Sequence, residues 1–229
     1  CSEEKNILID TGNGTKWEDK YKDIYNINTQ KYNIEHSLAR HGITTNEITD
    51  IICTHLHFDH VGGNTKLESG KIVPTFPNAN YWVTKENWEL ANHPSQKDSG
   101  SFMEENWKVL AENQMIKIVN GGEKFIEGVD IYLSYGHTEG LMHPILSDSR
   151  NILFYGADIF PMAAHIPIPW VMAYDVQPVV TMKEKEKLLT KMHNESWILF
   201  FEHDPKIQAC NIGWNGKQFH MKNEVFISE

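Results

Sequence analysis

The ten residues THLHFDHVGG, Thr54 to Gly63, place three imidazoles and one carboxylate between His55 and His60 and close on two glycines. Imidazole nitrogen and carboxylate oxygen make a donor set for a divalent metal that needs no thiolate. The apolar Ile51, Ile52 and Cys53 just before the motif mark a buried strand, so His55 stands where that strand leaves its sheet. Side chains two apart on an extended backbone face the same way, which lets His55 and His57 converge on one ion. A turn into helix near Asp59 would aim Asp59 and His60 at a second ion beside it, and Gly62 and Gly63 allow the backbone to fold tightly against the site. A lone histidine is more often a surface or satisfied core residue. Four potential ligands in six positions at a strand end favour metal binding instead.

Three further candidates follow apolar runs. His137 in YLSYGHTEG comes after Val129–Tyr135, and Asp158 in NILFYGAD comes after Asn151–Tyr155. His203 in WILFFEHDP comes after Trp197–Phe201, where Pro205 prevents simple continuation of the strand. Each alone fits a capped loop residue equally well. Together, four strand ends that each deliver an imidazole or carboxylate match the way α/β sheets build sites.

The elements that must position these residues read as α/β, because apolar runs bounded by turn residues alternate with helix-period segments. Strands are expected at Asn6–Ile9, Asp50–Thr54, Tyr81–Thr84, Met115–Val119, Val129–Tyr135, Asn151–Tyr155, Trp197–Phe201 and Lys206–Ile212, and the closing GKQFHMKNEVFISE reads as a strand and a short tail. Helices are expected at Asn33–Arg40 with Gly42 as C-terminal cap, Lys85–Asn92, Ser101–Glu112, and Pro178–His193 with proline at a tolerated early position. The Pro-rich Ile159–Trp170 reads as a rigid loop. No internal repeat, low-complexity tract or long linker divides the chain, so a single domain over residues 1–229 is expected.

Composition narrows the partners. A chain of 229 residues that is 40% hydrophobic can bury a sizeable core, and a net charge of -10 argues against a nucleic-acid footprint. Cys1, Cys53 and Cys210 are too few and scattered for a disulfide framework, which makes a reducing cytoplasm the default. No apolar run approaches the roughly 18 residues of a membrane span, so no membrane partner is expected. Cys1 invites a second reading, as the lipid-bearing residue of a mature lipoprotein, but such anchors normally precede a flexible linker and none follows here. The strand so close to Cys1 reads instead as though an upstream segment were absent.

His55, His57, Asp59 and His60 match the H-x-H-x-D-H motif of the metallo-β-lactamase superfamily, which this chain closely resembles. The later elements GHTEG at His137, the aspartate Asp158 and the final His203 match as well, and LIDTGNG resembles the family's early strand and turn. The resemblance implies a four-layer αββα sandwich with two metals at one edge of the sheets. It assigns His55, His57 and His137 to the first ion, and Asp59, His60 and His203 to the second. Asp158 bridges, and Asp10 supports the site from behind. Zinc suits these donors, and iron, manganese or cobalt fit the same shell. The implied reaction is hydrolysis of a small-molecule substrate by a hydroxide shared between the metals, with Asp59 relaying a proton to the leaving group.

The resemblance also narrows the branch. Zinc β-lactamases carry cysteine where Asp158 stands, a nuclease would want a basic patch, and flavodiiron members carry glutamate where His57 stands. N-acyl-homoserine lactonases, related esterases, organophosphate hydrolases acting as phosphotriesterases, and glyoxalase II thioester hydrolases stay in play. THLHFDHVGG and FEHDP favour the lactonase side, although Pro161 occupies a position where those lactonases often have tyrosine. The C-terminus lacks the basic helical extension of glyoxalase II. A non-catalytic metal-binding module would need gaps in the ligand set, and there are none.

Phe160, Met162, Ile166, Ile168 and Trp170 could line an apolar wall for an acyl chain or could be ordinary core, and His165 is a candidate substrate contact or support for a ligand. His143 is a weaker candidate of the same kind. His36, His41, His93, His193 and His220 are expected to face solvent. Trp82, Trp88 and Trp107 fit the core, with a homodimer contact as the alternative.

Overall fold

A computed structural model describes residues 5–31, 33–120 and 128–227; Cys1, on which the lipid-anchor reading rests, lies outside the described residues. The chain divides into two compact units, Cys1–Val119 and Asn120–Glu229.

The first unit is built on a sheet of four parallel strands in the order β1 (Ile7–Ile9), β2 (Asp50–Ile52), β5 (Asn80–Thr84), β6 (Ile116–Val119). A hairpin of β3 (Thr65–Glu68) and β4 (Lys71–Pro74) stands apart from it. Parallel strands are covered on both faces, and β2 is accordingly buried along its whole length. Its Asp50 is kept there by a hydrogen bond from Trp82 Nε1 (2.8 Å). Helices α1 (Asp19–Tyr25), α2 (Ile34–Arg40), α3 (Phe58–Val61), α4 (Lys85–Asn92) and α5 (Lys108–Glu112) connect the strands. Asn33 starts α2 by accepting the amides of Glu35 and His36, and Thr84 starts α4 by accepting that of Asn87. The core gathers Ile48, Ile51, Leu56, Val61, Phe76, Tyr81, Trp107 and Leu110.

The helix expected over Ser101–Glu112 is instead two short 3-10 turns and then α5. Phe102, Trp107 and Leu110 are all buried, but their spacing does not follow one helical face, and Trp107 breaks the helix with φ -140° so that its ring can turn inward.

The second unit is a six-stranded sheet in the order β12 (Phe219–Val225), β11 (Ala209–Trp214), β10 (Ile198–Phe200), β9 (Ile152–Tyr155), β8 (Leu141–Ser147), β7 (Val129–Ser134). Only β9 and β10 run parallel; the other neighbours are antiparallel. Helix α6 (Pro178–Glu195) opens with Pro178 and turns Thr181, Lys185, Leu188, Leu189 and Met192 inward. Leu188, Leu189 and Met192 pack with Phe154, Ile159, Phe160, Ile166, Leu199 and Ile212 in this unit's own core. β11 begins at Ala209 rather than at Lys206, because the Asp204 carboxylate accepts the amides of Lys206 and Ile207 (3.0 Å each) and closes a turn there.

Candidate metal centre

In the first unit β2 ends at Ile52 and α3 begins at Phe58, the expected change from strand to helix. Within the intervening extended segment His55 Nε2 and His57 Nδ1 face one another at 2.9 Å, both rings buried. One turn on, Asp59 Oδ2 lies 3.8 Å from His60 Nε2. The turn that carries Asp10 seals this segment from behind, with Thr11 and Gly12 donating their amides to His60 O (2.7 and 3.1 Å). That approach requires Gly62, on which a Cβ would lie 2.2 Å from Asn13 O. Lys16 Nζ donates to Gly62 O (2.6 Å) and Thr65 O (2.9 Å), and Asn87 Oδ1 accepts the Leu56 amide (2.8 Å), so the motif backbone is held on several sides.

Asp10 sits with φ 54°, a left-handed geometry that aspartate tolerates. Its Oδ1 accepts Thr54 N (2.7 Å), and its Oδ2 accepts both Thr54 Oγ1 (2.6 Å) and His60 Nδ1 (3.0 Å). Because the Thr54 hydroxyl spends its proton on Asp10, it accepts from His55 Nδ1 (3.0 Å). One buried carboxylate thereby fixes the Nδ1–H tautomer of both His55 and His60 and leaves Nε2 of each as the donor atom for an ion.

The second unit repeats this logic. His137, just beyond β7, pairs through Nδ1 with Asp175 Oδ1 (2.9 Å), and its Nε2 meets Asp158 Oδ2 (3.1 Å). The other oxygen of Asp158, Oδ1, meets His203 Nε2 (2.9 Å). A carboxylate that offers one oxygen to each of two imidazoles is disposed as a bridge between two ions. Burial works against charge on His137, but Asp158 and Asp175 together outweigh it and raise its pKa to about 9. A metal arriving there displaces a proton. Nitrogen and oxygen donors with ring tautomers fixed from behind fit divalent metal ions, zinc among them.

The remaining candidates are spread more widely. Phe160 and Ile166 are buried in the core of the second unit, whereas Trp170 is 62% exposed. His165 is half-buried in a 3-10 turn, its pKa lowered by burial and by the charge of Lys185. His143 is buried, paired with Ser134 Oγ (2.7 Å) and Tyr155 O (3.1 Å) and stacked on Phe154. Burial pushes its pKa down to about 4, which marks a neutral core residue. His36, His41, His93 and His193 are exposed as expected, but His220 is half-buried. Trp107 is core, while Trp82 and Trp88 are half-buried.

Two groups of residues escaped the sequence reading. Asp175 and Thr54 hold the Nδ1 atoms of His137 and His55; an acidic residue shortly before the Pro178 helix start was the only signal for the first. Phe58, between His57 and Asp59, meets Trp17 (5.3 Å) and Tyr25 (5.7 Å) in an aromatic cluster whose Tyr21 and Tyr25 are 40% and 51% exposed. The spacing of Trp17, Tyr21 and Tyr25 at four-residue intervals was its signal.

The family model described as the metallo-beta-lactamase superfamily matches residues 1–203. The N-acyl homoserine lactonase AiiA of Bacillus thuringiensis subsp. kurstaki is 26% identical over 227 residues, covering 92% of this chain and 82% of its own. An N-acyl homoserine lactonase of Bacillus cereus is 24% identical over 215 residues, covering 89% and 78%. Among solved structures, a probable metal-dependent hydrolase from Staphylococcus aureus superposes with TM-score 0.85 at 22% identity, over 99% of this chain and 81% of that one. The dizinc quorum-quenching lactonase AidC, with a product bound, gives TM-score 0.79 at 21% identity over 100% and 78%. The expected fold class, the α/β sandwich of this type, is the one these likenesses support.

Proposed function

Because the chain belongs to the metallo-beta-lactamase superfamily, we propose that it is a binuclear metal-dependent hydrolase that opens a small-molecule lactone or ester, N-acyl homoserine lactones being the substrate class to test first. The observation that carries this reading is the orientation of the donors: Asp10, Thr54 and Asp175 engage the Nδ1 atoms of His60, His55 and His137, so that Nε2 of each is the ligand atom. His55, His57 and His137 would hold one ion, Asp59, His60 and His203 the other, and Asp158 would bridge them. When bound, such a pair of ions supplies Lewis acidity to the substrate carbonyl and acidifies water.

The chain's own residues do the rest. Water adds to the lactone carbonyl carbon, the ring C–O bond breaks, and the departing oxygen needs a proton. Asp59, half-buried at the start of α3, takes the proton that the attacking water gives up and hands it to that oxygen. Phe58 and the exposed aromatics beside it offer an apolar surface next to the ligands, which suits an acyl chain. Among the described residues no helix is long and apolar enough to cross a membrane. Cys53 and Cys210 are free and buried, in keeping with a reducing compartment.

The test is a pH-drop assay on a lactone panel of graded acyl length, run beside S-lactoylglutathione and a nitrophenyl phosphotriester, with metal analysis of the same preparation. Two equivalents of metal and preferential lactone turnover are expected. Preference for the thioester or phosphotriester would reassign the substrate, and absence of metal even after reconstitution would leave only a binding module.

A further inference from the structure

Two adjacent residues of α6 engage two different segments of the second unit. Glu184 accepts the Tyr135 amide on Oε1 (2.8 Å) and the Gly136 amide on Oε2 (3.1 Å), the amides of the two residues immediately before His137. The start of the same helix holds the carbonyl side of that segment: Gln177 N donates to Gly136 O (2.8 Å), and Val176 N donates to His137 O (3.0 Å). A Cβ at Gly136 would lie 2.4 Å from Thr181 N, so the chain before His137 rests directly on the helix backbone.

Lys185 is wholly buried, and its Nζ donates to three carbonyls of one loop, Pro167 O (2.9 Å), Ile168 O (3.4 Å) and Trp170 O (2.6 Å). That loop leaves Asp158, is tied to His203 through His203 N and Pro161 O (3.1 Å), and ends at the exposed Trp170. Residues 100° apart on a helix necessarily face different neighbours. A buried ammonium also costs more than an apolar side chain of the same length, so its presence calls for an account beyond core filling.

We propose that Glu184 and Lys185 are positioning residues with separate tasks. Glu184 sets the backbone that aims His137, and Lys185 sets the Pro167–Trp170 loop that borders the substrate. The second half of this rests on the hydrolase reading; the mechanical half does not. An apolar side chain at 185 would leave three loop carbonyls without their shared donor, and an amide at 184 would set an NH2 against one of two backbone N–H groups.

The experiment uses Glu184→Gln and Lys185→Met in the full chain, with backbone amide exchange and lactone kinetics read on the same metal-loaded samples. Glu184→Gln should speed exchange at Tyr135 and Gly136 but not between residues 163 and 171, lower metal retention against a chelator about tenfold, and reduce kcat with little change in KM. Lys185→Met should speed exchange between 163 and 171 but not at Tyr135 or Gly136. It should also keep both metals and raise KM on the order of tenfold, unevenly across acyl lengths. Should Lys185→Met not fold, Lys185→Gln, which keeps a donor for one carbonyl, reads the same split. Matching exchange and kinetic changes in both variants, or a lowered Tm with both patterns unmoved, would overturn the division of tasks. A wild-type protein without lactone turnover would sink the lactonase reading alone, because the exchange patterns decide the clamp by themselves.

Discussion

Replacing Asp10 by asparagine should reverse the ring tautomers of two proposed metal ligands, His55 and His60, at once. Its carboxylate accepts three hydrogen bonds, from Thr54 N, Thr54 Oγ1 and His60 Nδ1. An amide of the same shape keeps one oxygen for Thr54 N and presents NH2 where Oδ2 was. The Thr54 hydroxyl must then turn to accept and direct its own proton at His55 Nδ1, while His60 Nδ1 must become an acceptor. Both imidazoles would carry their proton on Nε2, the atom that should bind the ion. Ion binding must then break two buried hydrogen bonds, at about 1–1.5 kcal/mol each, or about 2–3 kcal/mol together. Since His55 and His60 belong to different ions in this reading, at 1.4 kcal/mol per decade each ion loses roughly 5- to 12-fold in affinity, and the overall constant for binding both ions falls roughly 30- to 150-fold. Competition titration of zinc against a chromogenic chelator, on wild-type and Asp10→Asn protein at one pH, measures it directly. Asp158→Ala, which removes the proposed bridge itself, should lose more affinity and activity than Asp10→Asn. An Asp10→Asn protein that binds both ions as tightly as wild type would refute the tautomer argument.

Asp59→Asn, compared at full metal occupancy, should lose far more activity on a lactone or alkyl ester than on a nitrophenyl ester, whose phenolate departs unprotonated; equal losses would reduce Asp59 to a ligand. His143 should make the metal-free protein acid-sensitive. Its folded pKa of about 4 lies below the ordinary histidine value of 6.5, so the unfolded chain binds the extra proton between those pH values. Its stabilisation is complete above about pH 6.5, falls as pH drops toward 4, and amounts in all to on the order of 3 kcal/mol. Urea denaturation of His143→Gln should show a shallower acid slope than wild type by about one proton, and parallel slopes would contradict the assignment.

Much of the local geometry around these residues was legible in the sequence because its signals are local. His55 and His57 share a face by the two-residue period of an extended chain, and His137, Asp158 and His203 each follow an apolar run that had to be a strand. The boundaries of α4 and the start of α6 were equally readable, since Thr84 and Pro178 are the ordinary chemistry of helix starts. Other elements were harder to read. Tyr21, Ile24 and Tyr25 have helical spacing, but α1 buries none of its residues and no side-chain cap marks its start, and the run from Ser101 to Glu112 looked helical in composition until Trp107 had to reach the core.

What the tertiary structure alone decided are pairings between residues far apart in the chain. Asp10 reaches Thr54 and His60, Asp175 reaches His137, and Glu184 and Lys185 reach backbone groups 48 to 49 and 15 to 18 positions away. A ligand's identity is written in its side chain and its neighbours' periodicity, but the tautomer that makes it a ligand depends on which distant carboxylate or hydroxyl the fold carries to its second ring nitrogen.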